Sequence, residues 1–268
     1  MTMDRELVLL GVAGFVTVGA TISTLEWLVN WRQLKASGLF SWQVVESRPA
    51  LAGTLRGRAA GLFLAYPNIL WLLAVRLIAL LALLPAIASG RFAAWVLGVV
   101  VATTLLLNLR SPYGMDGSDQ MATQVFGALF LGFLPGTTLA LDAALWYIAL
   151  QGCLTYATAG LVKVKSPLWH SGEALFGIFN TRAYGHPAVA RFLYGRPRLT
   201  KVLSWGAVAA EVTFPLALVL GYPYGLVFLG WGVAFHAANA LVMGINTFFW
   251  SFVSTYPAIL YCAWLLRA

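Results

Sequence analysis

A chain of 268 residues that is 60% hydrophobic, only 10% charged and has a mean hydropathy of +0.82 lies outside soluble domains, whose charged share is roughly 25%. Its net charge of +8 comes from 17 Lys+Arg against 9 Asp+Glu. The basic residues fall in loops between apolar runs and never alternate with aromatics, which argues against a nucleic-acid surface and for the positive loops of a membrane protein.

In chain order, the first apolar run covers Leu7 to about Leu28, enough to cross the hydrocarbon core. The chain begins without a basic n-region or a small-residue cleavage site, so this run is expected to be a retained helix and not a signal peptide. Trp31, Arg32, Lys35 and Trp42 then suit a segment lying among headgroups. Runs follow from Ala59 to about Ala88, broken by Pro67 and carrying Arg76, from Phe92 to Leu109, a short one from Met121 to about Leu134, and from Leu139 to Val162. A polar, basic segment, 163–201, separates these from Val202 to Leu220, Tyr224 to Met243 and Phe248 to Leu266. The expectation is an all-α polytopic transmembrane bundle of about eight helices, forming one integral membrane domain over 1–268. With eight crossings, the loops holding Arg32, Lys35, Arg48, Arg56, Arg58, Arg110 and the 163–201 segment share one side, which the positive-inside rule puts in the cytoplasm. Cys153 and Cys262 lie within apolar stretches and read as buried free thiols.

Ionisable groups inside apolar runs carry the functional information, because they are costly unless they face a partner or a cavity. In NLRSPYGMDGSDQM, Asn108, Arg110, Asp116 and Asp119 meet at a helix joint where Gly114 and Gly117 permit a tight turn. Asp119 can cap the next helix, or the two carboxylates and the arginine can orient a polar ligand. In GLVKVKSPLWHSGEALF, Lys163 is either a helix-end cation that complements the dipole and snorkels, or a buried amine tuned into a general base. Lys165 reads as its solvated companion. Glu211, alone in an apolar run, should be protonated or paired, and Arg76 is a possible partner. His236 and Asn239 are three apart and share a helix face, either as core groups or as a hydrogen-bonding pair at a ligand. No G-x-S-x-G elbow, phosphate loop or H-E-x-x-H site is present, and three separated histidines (His170, His186, His236) argue against a metal centre.

The stretches LRSPYGMDGSDQM, TYATAGLVKVKSPLWHSGEAL and AFHAANALVMGINTFFW, in that order and spacing, resemble the horizontally transferred transmembrane domain family. That family includes the membrane part of vitamin K-dependent gamma-carboxylase and a bacterial protein that matures a sporulation-delaying toxin. The resemblance runs from about Leu7 to the last helix, and its most specific piece is Tyr156, Ala159, Gly160, Lys163, Trp169 and Gly172. It implies a gamma-carboxylase-like lyase and oxidoreductase that uses a reduced quinone (vitamin K hydroquinone or menaquinol), O2 and, for carboxylation, CO2. Lys163 would be the base that deprotonates the quinol; counting back from Trp169 leaves Lys165 as an alternative. His236 and Asn239 would contact the quinone, with Arg110, Asp116 and Asp119 helping to orient it, Glu211 as a structural or proton-handling partner, and Trp169 and Glu173 at the pocket mouth. No counterpart of the carboxylase's large lumenal part is expected within these residues, so a peptide or protein substrate would bind the 163–201 segment or a partner. The expected setting is the lipid bilayer of a bacterial inner membrane. The alternatives are a maturation factor for a small secreted peptide and a transporter or lipid-binding protein handling anionic headgroups.

Overall fold

A computed structural model describes residues 3–111 and 115–267. Every regular element among them is helical, as the composition demands. Six helices are long and apolar enough to cross a membrane, and the chain is an integral membrane protein. Two further apolar runs of the expected eight take a different form. Gly117–Phe133 is 17 residues long, about 26 Å at the helical rise. The Val202 to Leu220 run is divided at Pro215 into Pro197–Thr213 and Leu216–Leu220. Placing the basic loops on one side therefore depends on both of these segments crossing.

The chain divides into two compact units. One unit is Leu9–Ala144; the other joins the first residues, up to Val8, to Leu145 and the rest of the chain.

The first unit contains most of α1 (Arg5–Val29), then α2 (Trp42–Glu46), α3 (Leu55–Leu64), α4 (Asn68–Ser89), α5 (Ala93–Arg110), α6 (Gly117–Phe133) and the start of α7 (Thr138–Val164). Pro67 breaks the α3–α4 run, because proline cannot continue the preceding helix. A core of Leu34, Trp42, Val45, Leu64, Ile69 and Leu73 lies under the interfacial stretch. Arg48 Nη2 donates to the carbonyls of Leu109, Arg110 and Ser111 at 3.3, 3.4 and 2.6 Å, satisfying the open end of α5.

The second unit holds the rest of α7, three short helices α8 (Pro167–Ser171), α9 (Glu173–Phe179) and α10 (Pro187–Leu193), then α11 (Pro197–Thr213), α12 (Leu216–Leu220), α13 (Gly225–Met243), α14 (Asn246–Val253) and α15 (Tyr256–Leu265). The 163–201 segment is thus mostly helical. Its prolines, Pro167, Pro187 and Pro197, each start a helix, at the position where the missing N–H costs nothing. Cys153 and Cys262 are free and buried.

Candidate functional site

Three residues of α7, Tyr156, Gly160 and Lys163, are spaced i, i+4, i+7 and so share one face. Gly160 sets how close α11 comes to that face. A Cβ there would lie 2.8 Å from the backbone nitrogen of Val212 and 3.1 Å from Glu211 Cβ, so only glycine lets the two helices meet. Glu211 is thereby brought against the next turn of α7. Lys163 Nζ contacts both carboxylate oxygens, at 2.5 Å to Oε2 and in a still tighter ion pair with Oε1. Glu211 is 3% exposed, so the pair stands almost wholly out of water on the carboxylate side.

The turn after α7 places an aromatic lid on this pair. Ser166 N–H donates to Lys163 O at 3.0 Å, Pro167 opens α8, and the Trp169 ring comes to 4.8 Å from Lys163 Nζ, within cation–π range. Ser204 Oγ on α11 fixes the lid by donating to Trp169 O at 2.6 Å, and His170 stacks on Trp205 at 5.1 Å. Gly172, with φ +87°, takes a left-handed conformation, and a side chain there would strike the Lys201 backbone nitrogen at 2.7 Å. The motif glycines therefore serve the geometry of the lysine and its lid.

Beside the ion pair runs a hydrogen-bonded chain of three rings. Tyr156 Oη lies 2.7 Å from His236 Nε2 and 2.6 Å from Tyr256 Oη. Tyr156 stacks on Phe214, with centroids 3.7 Å apart, and His236 stacks on Phe252 at 4.6 Å. All three polar rings are 5% exposed or less. The charge of Lys163 is felt at His236 and that of Glu211 at Tyr156, so the pair and the chain form one electrostatic cluster. His236 Nδ1 is buried and has no partner among the described residues.

Glu211 has the partner the sequence demanded, but that partner is Lys163, not Arg76. Arg76 instead donates to Thr24 Oγ1 at 3.1 Å, Thr103 Oγ1 at 3.2 Å, Thr104 Oγ1 at 2.6 Å and Val100 O at 3.3 Å. The N-cap of α6 is Asp116, not Asp119: Asp116 accepts from the N–H groups of Ser118 and Asp119 at 2.8 and 2.9 Å, while Asp119 reaches back to the Asp116 N–H at 3.4 Å. That reciprocal box uses both carboxylates in the fold. Arg110 donates to the carbonyls of Leu64, at 2.5 Å, and Phe40, and not to either aspartate. Arg110, Asp116 and Asp119 belong to the Leu9–Ala144 unit, whereas Lys163, Trp169, Glu211 and His236 are gathered in the other. Gly114 lies outside the described residues.

Asn239, one turn beyond His236, is half-buried and makes no side-chain hydrogen bond to another described residue. Glu173 is exposed, on the wall of a chamber of about 190 Å³ that it shares with Phe176, Leu193, Tyr194 and Thr200. Neither Lys163 nor Trp169 borders that chamber. Lys165 is exposed at the end of α7. Sequence reasoning did not single out Tyr256, and Tyr156 entered only through the resemblance. The available signal was weak: polar aromatics, 100 residues apart, in otherwise apolar helices.

The chain matches no family model, no curated protein and no solved structure.

Proposed function

We propose that this protein is a membrane-embedded enzyme, similar to the membrane domain of vitamin K-dependent gamma-carboxylase, in which Lys163 and Glu211 together take a proton from a reduced quinone. The observation that carries this reading is the setting of Lys163: its Nζ touches both oxygens of the buried Glu211 carboxylate and lies under the Trp169 ring. An ammonium cannot accept a proton. Moving one proton from Nζ to the carboxylate frees the amine while the pair keeps a net charge of zero, so the apolar surroundings do not oppose the exchange through a new charge. Burial raises the Glu211 carboxyl above the usual range, against the opposing pull of Lys163, and favours the form that holds the proton.

The residues fit a hydroquinone. The lysine–glutamate pair suits one ring hydroxyl, Trp169 offers an aromatic face, and the unpartnered Nδ1 of His236 suits a ring oxygen. A bound hydroquinone would supply the electrons that O2 accepts, and CO2 and a peptide would be the further reactants of a carboxylase. Glu211 holds the proton that Nζ gives up, the freed Nζ accepts the one leaving the ring hydroxyl, and the Trp169 lid excludes water. On this reading the protein works in a bacterial inner membrane.

The test is anaerobic binding of vitamin K hydroquinone or menaquinol to purified protein, followed by oxygen uptake and epoxide formation. Wild type should bind and form epoxide, while Lys163→Met should retain quinol binding and lose epoxide. Absence of both binding and oxygen uptake in wild type would end the quinol reading and return Lys163 to the role of helix-end anchor.

A further inference from the structure

The hydroxyls and ring nitrogens of Tyr256, Tyr156 and His236 can be counted out. Tyr256 Oη has one hydrogen-bond partner among the described residues, Tyr156 Oη, and Tyr256 is 5% exposed. Either direction leaves one buried proton without an acceptor, the Tyr256 O–H if Tyr256 accepts or the His236 N–H if it donates; the second pairs phenol hydroxyls, the better donors, with the imidazole nitrogen, the better acceptor. Tyr256 therefore donates to Tyr156. With its oxygen accepting from Tyr256, Tyr156 directs its single proton to its other partner, His236 Nε2. A nitrogen that accepts carries no hydrogen in a neutral imidazole, so the ring proton sits on Nδ1. His236 is neutral here: it has no carboxylate partner among the described residues, it is 3% exposed, and the charge of Lys163 acts against an imidazolium. The chain of donations thus ends in one N–H, and that N–H is the buried atom left without a partner.

We infer that Tyr256 and Tyr156 are positioning residues that lock His236 in the Nδ1–H tautomer, so that it donates a hydrogen bond to an oxygen of a ring-hydroxyl ligand held beside the Lys163–Glu211 pair. The ligand class rests on the proposed quinol reading; the tautomer lock rests on the two hydrogen-bond contacts and the relative donor and acceptor strengths of phenol and imidazole. An oxygen on an aromatic ring gains from a neutral N–H donor as its proton leaves, since the donor meets the growing negative charge without titrating. Tyr156 has no substitute in this role, because its stacking on Phe214 fixes the hydroxyl between its two partners. Two tyrosines and a histidine from α7, α13 and α15 are spent on a single donor, in a region where each buried polar atom is costly.

The experiment uses the full chain in lipid bilayers with 15N-labelled histidine. Three histidines are present, and a His236→Gln sample identifies the signal of interest. The expected spectrum shows a neutral His236 protonated at Nδ1, unchanged by preparing the membranes anaerobically. Tyr156→Phe should release the lock and give an Nε2–H or mixed spectrum, with quinol affinity lower by about 10-fold, one lost hydrogen bond's worth. Tyr256→Phe, which removes only the outer donor and keeps the ring, should give a mixed tautomer. Adding vitamin K hydroquinone to wild type should shift the Nδ1 signal. An Nε2–H spectrum in wild type, or an unaltered spectrum in Tyr156→Phe, overturns the inference even if epoxide is formed. An Nδ1–H spectrum that hydroquinone leaves unmoved, in protein that forms epoxide, overturns the ligand contact. If hydroquinone neither binds nor is oxidised, the proposed function fails and the ligand contact fails with it.

Discussion

Both units hold cations among apolar helices, and they settle the charges in opposite ways. In the Leu9–Ala144 unit, Arg76 and Arg110 are 6% and 1% exposed and are met by threonine hydroxyls and backbone carbonyls, with no carboxylate in contact. The acid whose charge acts on Arg76 is Asp119, which is engaged in the capping box. In the other unit Lys163 meets a carboxylate directly, and the same unit holds His236, whose buried Nδ1 has no partner among the described residues. A guanidinium has five N–H groups and does not lose its proton, so it ties helices together without chemistry. An amine against a carboxylate can pass a proton, and it is the arrangement that suits a reaction. The difference separates polar groups that hold the bundle from polar groups that could work in it.

The sharpest way to break that comparison is to remove one partner of the ion pair. Glu211→Ala leaves an ammonium facing apolar side chains and should cost about 3–5 kcal/mol, read as a drop in the thermal midpoint of purified protein. Restoring neutrality with Lys163→Met on top of Glu211→Ala should recover most of the loss. If the single variant is as stable as wild type, the pair is not desolvated and its claim to special chemistry goes with it.

Next in size is Arg110→Met. It deprives the Leu64 and Phe40 carbonyls of their charged donor, which should destabilise by about 2–3 kcal/mol and leave quinol binding intact in whatever protein folds. A selective loss of binding at unchanged stability would instead make Arg110 a ligand contact. Gly160→Ala should cost less, about 1–3 kcal/mol from overpacking, yet remove epoxide formation. The new methyl pushes α11 away and takes Glu211 out of reach of Lys163. Activity retained in that variant would show that the close approach of α7 and α11 is not needed.

Much of this was legible in the residues. Composition alone required a helical membrane protein, and the break at Pro67 followed from proline chemistry, whereas the helices within 163–201 were not read from the sequence. The demand that Glu211 find a cation was also legible, because an isolated carboxylate in an apolar run is costly. Which cation it finds was not, since apolar periodicity does not say which helix α11 packs against. Gly160, three residues before Lys163 on the facing side of α7, was the clue in hand: a glycine inside a long helix often marks a close neighbour. The assignment of Asp116 over Asp119 as N-cap was a matter of two or three residues at a helix start, where sequence patterns are least sharp. Tyr256 could not be read at all, because its role exists only through a contact with Tyr156 100 residues away.

The smallest effect should come from Arg76→Met. Each threonine around Arg76 has an acceptor of its own on the preceding turn: Thr24 Oγ1 donates to Ala20 O at 2.6 Å, Thr103 Oγ1 to Val99 O at 2.9 Å and Thr104 Oγ1 to Val100 O at 2.7 Å. Removing the guanidinium leaves those bonds in place and takes away a charge that no carboxylate contacts. Methionine fills a similar volume with an apolar chain that adapts to irregular space. The change should lie within about 1 kcal/mol of neutral, because losing both a buried donor and its desolvation cost nearly cancels. A thermal midpoint within a few degrees of wild type, with hydroquinone binding unchanged, would place Arg76 with the structural group. A large loss of stability would mean that the hydroxyls depend on the arginine, and a loss of binding alone would move a buried cation of the Leu9–Ala144 unit into the working set.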